Sequence, residues 1–246
     1  MDTHSPLPYK RVLLKISGEG LASDGEEPLD MPTILPLAED IKAVMQQGVE
    51  VCLVTGGGNF FRGAKGYGNW LDRPAADTIG MLATLMNATA LENVFFKKGV
   101  RVSLHSAVAC VGVAEAFNRQ KALDDLKNGR VVLFAGGIGL PYFTTDTAGA
   151  LRAAQMECDA FFKATQVDGV YDKDPRKYPD ACFLKTVSYQ KTLDENLKVM
   201  DRTAVEILQK NNIPAFVFNQ HRANAFLSVI RGEGLYTMMN QTGEDK

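Results

Sequence analysis

Apolar positions along the chain fall into two alternating patterns. Short, nearly continuous apolar runs occur at RVLLKI (11–16), VEVCLVT (49–55), VRVSLHSAV (100–108), RVVLFAG (130–136), DAFFKAT (159–165) and PAFVFNQ (214–220). They are rich in Val, Leu and Phe, which predicts strands buried on both faces. Between them, helical spacing covers 33–47, 74–92, 114–128, 145–157 and 201–211. Strands alternating with helices predict βαβ units and a mostly parallel sheet. Residues 1–8 and 241–246 read as loose tails, and no internal repeat is visible. The one long irregular stretch, GGGNFFRGAKGYGNWLDRP (56–74), is of a length usually functional or mobile.

Each predicted strand runs into a Gly- or Asp-rich turn, and open α/β sheets bind ligands at those carboxyl ends. In KISGEG (15–20), glycine backbone N–H groups can face phosphate oxygens, and Lys15 can add a compact positive charge. A lysine leaving a strand into solvent is the ordinary alternative. In TGGGNFFRG (55–63), three glycines exceed what a plain turn uses and suit close approach of backbone to an anion. Arg62 follows within reach of the same anion for a two-pronged contact.

Two common nucleotide motifs are excluded. Gly58 and Gly63 have the Walker A spacing, but Ala64 and Lys65 follow instead of Lys and Ser/Thr. Gly137-Ile138-Gly139 begins a dinucleotide fingerprint, but Tyr142 stands at the third glycine. The acids about twenty residues on, Glu157 and Asp159, precede the next strand instead of ending it. The turn places Thr144, Thr145 and Asp146 at a helix start, where one capping residue would suffice. Hydroxyls and free N–H groups there suit a phosphate, whereas Asp146 would orient a lysine or a metal. In KATQVDGVYDKDP (163–175), Lys163 sits in an otherwise buried strand, where an unpaired lysine is expensive. Asp168-Gly169 makes a turn, and Tyr171 offers a flat ring to a base. The charges of this segment could also form a solvated loop.

Glycine turns, lysines, an arginine and aspartates thus meet at one sheet edge without a histidine or serine triad. That fits phosphoryl transfer, which needs positioning and charge neutralisation more than covalent chemistry. A nucleoside monophosphate already carries an ionised oxygen near neutral pH, so no general base is required.

Composition adds limits. The 246 residues allow one large domain or two small ones, and 46% hydrophobic residues supply an ordinary core. A net charge of −2 gives no reason to expect nucleic acid as a partner. Cys52, Cys110, Cys158 and Cys182 lack metal spacing and read as reduced thiols of a cytoplasmic protein. His4, His105 and His221 are scattered, so no protein metal site is expected. The N-terminus lacks the apolar stretch of a signal peptide, and no apolar run approaches the ~18 residues of a membrane span.

Six stretches in order, KISGEG, TGGGNFFRG, ADTIGMLATLMNA (76–88), PYFTTDTAGALRA (141–153), KATQVDGVYDKDP and LKVMD (197–201), resemble the bacterial uridylate kinase family of the amino acid kinase superfamily. The resemblance spans about residues 9 to 240. FFRG, DTIGMLAT and YFTTDT separate it from acetylglutamate and aspartate kinases. It implies an α/β fold: a three-layer αβα sandwich with a mostly parallel central sheet. Residues 9–240 would form one domain, the N-terminal half mainly for UMP and the C-terminal half mainly for ATP.

The resemblance also implies residue roles. Lys15, Ile16, Ser17 and Gly18 would cradle the ATP phosphates. Gly57 would lie nearer UMP and Gly58 nearer ATP, and Arg62 would pair with phosphate. Asp77 would take the UMP ribose hydroxyls. Ile138, Gly139, Leu140, Pro141, Tyr142, Phe143, Thr144 and Thr145 would wrap its uracil and phosphate. Thr165, Tyr171 and Asp174 would hold adenosine. Lys15, Arg62, Asp146 and Lys163 would frame the transferring group, with Mg²⁺ carried by the ATP phosphates. A homohexamer built from dimers and UTP feedback are further family expectations. On the 76–88 helix, Met81, Leu82 and Leu85 could face a partner or the core.

Two departures stand out. Ile138-Gly139-Leu140 replaces the common Thr-Gly-Asn and removes two side-chain hydrogen-bonding groups near the uracil. The acidic SDGEEPLD (23–30) replaces the Gly-Phe-Gly-rich segment tied to GTP activation. The competing readings are an amino-acid or carbamate kinase and a nucleotide sensor that does not turn over. The first should supply cationic groups for a carboxylate acceptor and carry no DTIGMLAT helix, and the second should have lost Lys15 or Asp146.

Overall fold

A computed structural model describes residues 7–22, 27–62, 70–175 and 177–244. Most of the N-terminal tail, four residues of the acidic segment and residues 63–69 of the long loop lie outside the described residues, as do 245 and 246.

In chain order the elements are β1 (Arg11–Ile16), a 3₁₀ turn (Gly18–Leu21), α1 (Met31–Gln46), β2 (Glu50–Thr55), α2 (Arg73–Lys97), β3 (Val102–Ser106), β4 (Glu115–Ala116), α3 (Arg119–Lys127), β5 (Val131–Ala135) and α4 (Thr145–Gln155). Then follow β6 (Ala160–Thr165), β7 (Val170–Tyr171), β8 (Phe183–Leu184), β9 (Thr186–Ser188), α5 (Tyr189–Asp194), α6 (Arg202–Lys210), β10 (Ala215–Asn219), α7 (Ala225–Ile230) and β11 (Tyr236–Asn240). The six apolar runs are the six strands β1, β2, β3, β5, β6 and β10.

The sheet order is β4-β3-β5-β2-β1-β6-β10-β11-β9, and every pair is parallel except β10 with β11. Side chains alternate between two cores. Val12, Leu14, Val51 and Leu53 pack with α1, α2 and α7, while Leu13, Cys52 and Val54 pack with α3, α4, α5 and α6. Helices therefore cover both faces, giving the expected three layers.

Several boundaries differ from those the periodicity predicts. The helix expected over 114–128 begins at Arg119, because the Asn118 side chain caps it by accepting from the Lys121 N–H at 3.0 Å. Residues Glu115–Ala116 instead pair with β3. Helix α2 continues to Lys97, and Gly99 follows it with φ +76°. By length and composition α2 could cross a membrane, contrary to the expectation that no run approaches that size. It is a sheet-packing helix instead, with Leu85, Ala88, Leu91 and Phe95 in the core. Leu85 faces that core, whereas Leu82 on the same helix is exposed.

Candidate active site

Strands β1 and β6 are neighbours, and their register sets Lys15 directly opposite Lys163. Both side chains share the face covered by α4, where Leu13 and Phe161 also point. Two ammonium groups on adjacent strands repel each other. Asp146, in the first turn of α4, resolves the conflict. Lys163 Nζ donates to its Oδ2 at 2.6 Å and to the Val199 carbonyl at 2.5 Å. Lys15 Nζ lies 2.8 Å from Oδ1 as an ion pair. Burial alone would raise the Asp146 pKa; Lys15 and Lys163 overcome it and hold the carboxyl well below its usual range. Burial pushes the Lys163 pKa down, with Asp146 opposing and Lys15 adding to the fall. The helix N-terminus further favours a carboxylate here. Two cations against one carboxylate leave a positive charge in excess at the strand ends, suited to an anion.

Helix α4 is held at this spot by its cap. Thr144 Oγ1 accepts from the N–H groups of Asp146 and Thr147, and donates to Asp201 Oδ2. Thr147 Oγ1 donates to the other oxygen of Asp201 at 2.7 Å, and Asp201 also caps α6. Of the run Thr144-Thr145-Asp146, the first is the cap and the last the charge bridge.

The two glycine turns are fastened to α2. Asn87, fully buried, donates to the Gly56 carbonyl at 2.7 Å and exchanges hydrogen bonds with Asn59. Thr84 Oγ1 accepts from the Gly136 N–H at 2.8 Å. A Cβ on Gly57 would stand 2.8 Å from the Ala83 Cβ and 2.9 Å from the Gly80 carbonyl oxygen. Tight packing against α2 therefore requires glycine at 57 whether or not an anion binds. Gly18 packs with equal closeness on Gly56 and Gly58.

Between these turns and α2 lies a cavity of ≈ 280 Å³, lined by Gly57, Gly58, Asp77, Ile138, Leu140 and Phe143 among others, with Thr144 and Thr145 at its inner end. Gly58 thus fronts the same cavity as Gly57. Asp77 is partly engaged: its Oδ2 accepts from the Tyr142 N–H and from Arg73 Nε, both at 2.7 Å. Tyr142 has φ +73°, an unusual backbone conformation for an aromatic residue, and Arg73 lies 5.6 Å from its ring centre. Gly139 (φ +82°) follows Gly136 and Gly137 in the same left-handed region, and Pro141 lies between Gly139 and Tyr142 in the turn.

A second cavity of ≈ 410 Å³ lies at the ends of β6 and β10, lined by Lys163, Thr165, Tyr171, Asp174, Leu197 and Val217 among others. Tyr171 packs edge-on to Phe183 across the β7–β8 ribbon. The Asp168-Gly169 turn is tied down: Asp168 accepts from Asn219 and Arg222, which lower its pKa.

Some predicted residues are placed differently from their expected use. The Ile16 side chain is fully buried in the core and its carbonyl accepts from the Gly56 N–H, so it brings no side chain to the site. Ser17 makes no side-chain cap bond on the 3₁₀ turn. Arg62 is turned to Glu19 (2.9 Å) and the Gly58 carbonyl (3.2 Å), and borders a separate groove with His221. Sequence reasoning missed Thr84, Asn87, Asp201 and Gln220. An asparagine inside the apolar α2 was the available signal for Asn87.

The amino acid kinase family model matches residues 10–219. A uridylate kinase from Paramagnetospirillum magneticum is 48% identical over 231 residues, covering 94% of this chain and 96% of the relative. A UMP kinase structure from Bacillus anthracis superposes with a TM-score of 0.92 at 36% identity, covering 96% of this chain and 97% of that one. One from Ureaplasma parvum gives 0.90 at 36%, covering 94% and 99%.

Proposed function

The chain belongs to the amino acid kinase family, and we propose from that premise that it is an ATP-dependent UMP kinase, giving UDP and ADP. The observation that carries the reading is the Lys15–Asp146–Lys163 bridge, set between two nucleoside-sized cavities at the carboxyl ends of a parallel sheet. In this reading residues 9–240 act as one domain. UMP takes the cavity beside α2, with its ribose on Asp77 and its base against Ile138, Leu140 and Phe143. Adenosine takes the cavity beside Thr165, Tyr171 and Asp174. Lys15 and Lys163 meet the transferring phosphoryl group, and Asp146 keeps both aimed at it. Arg62 reaches phosphate after leaving Glu19.

Among the described residues no group of three or more His, Cys, Asp or Glu could hold a metal. In this reading Mg²⁺ comes with ATP, held by its phosphates, and supplies charge neutralisation there. UMP presents its own ionised oxygen, so no side chain need remove a proton. With two lysines, phosphoryl transfer becomes a matter of alignment and charge. The four cysteines are free thiols, which supports a cytoplasmic enzyme. Leu82, Met86 and Phe96 on α2 are 45%, 52% and 74% exposed and support self-association.

ADP release measured with UMP, CMP, AMP, carbamate and N-acetylglutamate as acceptors tests the reading. UMP should dominate; a UMP signal no greater than the others would overturn it.

A further inference from the structure

Strand β10 lies beyond β6, and β6 separates it from β1. Gln220, just past β10, nevertheless reaches the turn that follows β1. Its backbone N–H donates to the Thr165 carbonyl at 2.9 Å, extending the β10–β6 ladder by one rung. Its side-chain Nε2 donates to the Gly20 carbonyl at 2.6 Å. One residue thus joins the 3₁₀ turn of the Lys-Ile-Ser-Gly segment to the end of the strand carrying Thr165. Its amide also packs against Gly20. A Cβ at that position would stand 2.6 Å from Gln220 Oε1 and closer still to the rest of the amide. Gly20 does not have a positive φ, and the three atoms nearest that Cβ all belong to the end of the Gln220 side chain, so an alanine at 20 would displace the Gln220 amide and break its hold on the turn.

The surroundings are built to keep the segment still. Asn219 and Arg222, on either side, both donate to Asp168. Farther on, buried Asp40 of α1 accepts from the N–H groups of Phe226 and Leu227 at 2.8 and 3.0 Å and fixes the start of α7. The segment following β10 therefore touches the phosphate turn, the end of β6 and the Asp168 turn, and makes no contact with the cavity beside α2.

We propose that Gln220 is a positioning residue for the donor nucleotide: it fixes the spacing between the turn that meets the ATP phosphates and the strand that meets its nucleoside. The proposal rests on the assignment of ATP to this side of the sheet. ATP spans both elements, so a loosened Gly20 turn costs ATP binding and leaves UMP binding intact.

The test combines Gly20→Ala, Gln220→Ala and the double variant in the full-length chain. Steady-state kinetics with ATP and UMP varied separately are paired with calorimetric binding of a non-hydrolysable ATP analogue and of UMP. Gly20→Ala and Gln220→Ala should each raise KM for ATP about tenfold, equivalent to ~1.4 kcal/mol, with KM for UMP unchanged. Gln220→Glu keeps the shape but turns a carboxylate on the Gly20 carbonyl, and should show the same selective loss. The double variant should lose no more than either single variant, because both changes remove the same contact. Equal effects on both substrates, or losses that multiply in the double variant, would overturn the proposal while wild-type UMP phosphorylation stands. Absence of UMP-dependent turnover in the wild type would instead defeat the underlying reading.

Discussion

Replacing Asp146 by Asn tests the central bridge most directly. The substitution keeps the shape and removes the one charge between two lysines set opposite each other on adjacent strands. Removing one partner of a buried pair costs about 3–5 kcal/mol, because the remaining charge is left uncompensated. At roughly 2–4 °C per kcal/mol for a chain of this size, the melting temperature should fall by about 6–20 °C. The pH dependence has a definite sign. In the wild type the folded Asp146 carboxyl is held below its ordinary range, so its stabilisation is complete above the unfolded carboxyl pKa of about 4 and is lost as pH falls through the acid range. In the variant Lys163, whose pKa burial already pushes down, loses the opposing Asp146 charge and releases its proton more readily when folded than when unfolded, so stability should recover as pH rises toward about 10. Urea denaturation of both proteins between pH 6 and 10 would measure the gap. A triple change, Lys15→Met with Asp146→Leu and Lys163→Met, should regain most of the stability and show no turnover. An Asp146→Asn protein within about 1 kcal/mol of wild type at pH 7, or a gap that does not narrow with pH, would refute the reasoning.

Asn87→Ala leaves the Gly56 carbonyl and Asn59 without their buried partner, and should lower stability by about 1–3 kcal/mol in urea titrations. Gly57→Ala forces a methyl group against Ala83 and Gly80, and differential scanning calorimetry should register a loss of about 1–3 kcal/mol. Asp77→Asn removes a charged acceptor worth about 1.5–3 kcal/mol, so KM for UMP should rise by roughly tenfold to a hundredfold while KM for ATP stays put. Leu82→Asp on the exposed face of α2 should shift sedimentation velocity profiles toward the monomer, with the fold unchanged by circular dichroism.

The layers of the fold were legible because buried parallel strands leave unbroken apolar runs, and Leu13, Cys52 and Phe161 need no distant information to read as buried. The β9 edge of the sheet and the separate β7–β8 ribbon were not. Residues Phe183–Leu184 and Thr186–Ser188 are too short for a period, and α7 owes its start to Asp40, far away in the chain. Within the site, Lys163 announced itself as a charge in a buried strand, Lys15 as the lysine before a glycine turn, and Asp146 as a polar residue beyond what one helix cap needs. Asp201 and Gln220 did not, since a capping aspartate and a surface-like glutamine look ordinary until the fold brings Thr144 and Gly20 against them. The triple glycine has a second reason that the sequence did not show, since close packing on α2 also demands glycine at 57.

Helix α2 contacts both glycine turns, through Asn87 and Thr84, and also carries Asp77. One wall of the cavity beside α2 is therefore a single helix, while Ile138 and Leu140 line it from the turn after β5. Such a division of labour makes acceptor choice and phosphoryl geometry separately inheritable. On the proposed reading, a lineage could exchange Ile138 or Leu140 without disturbing the Lys15–Asp146–Lys163 bridge, which is how one scaffold could come to serve many acceptors.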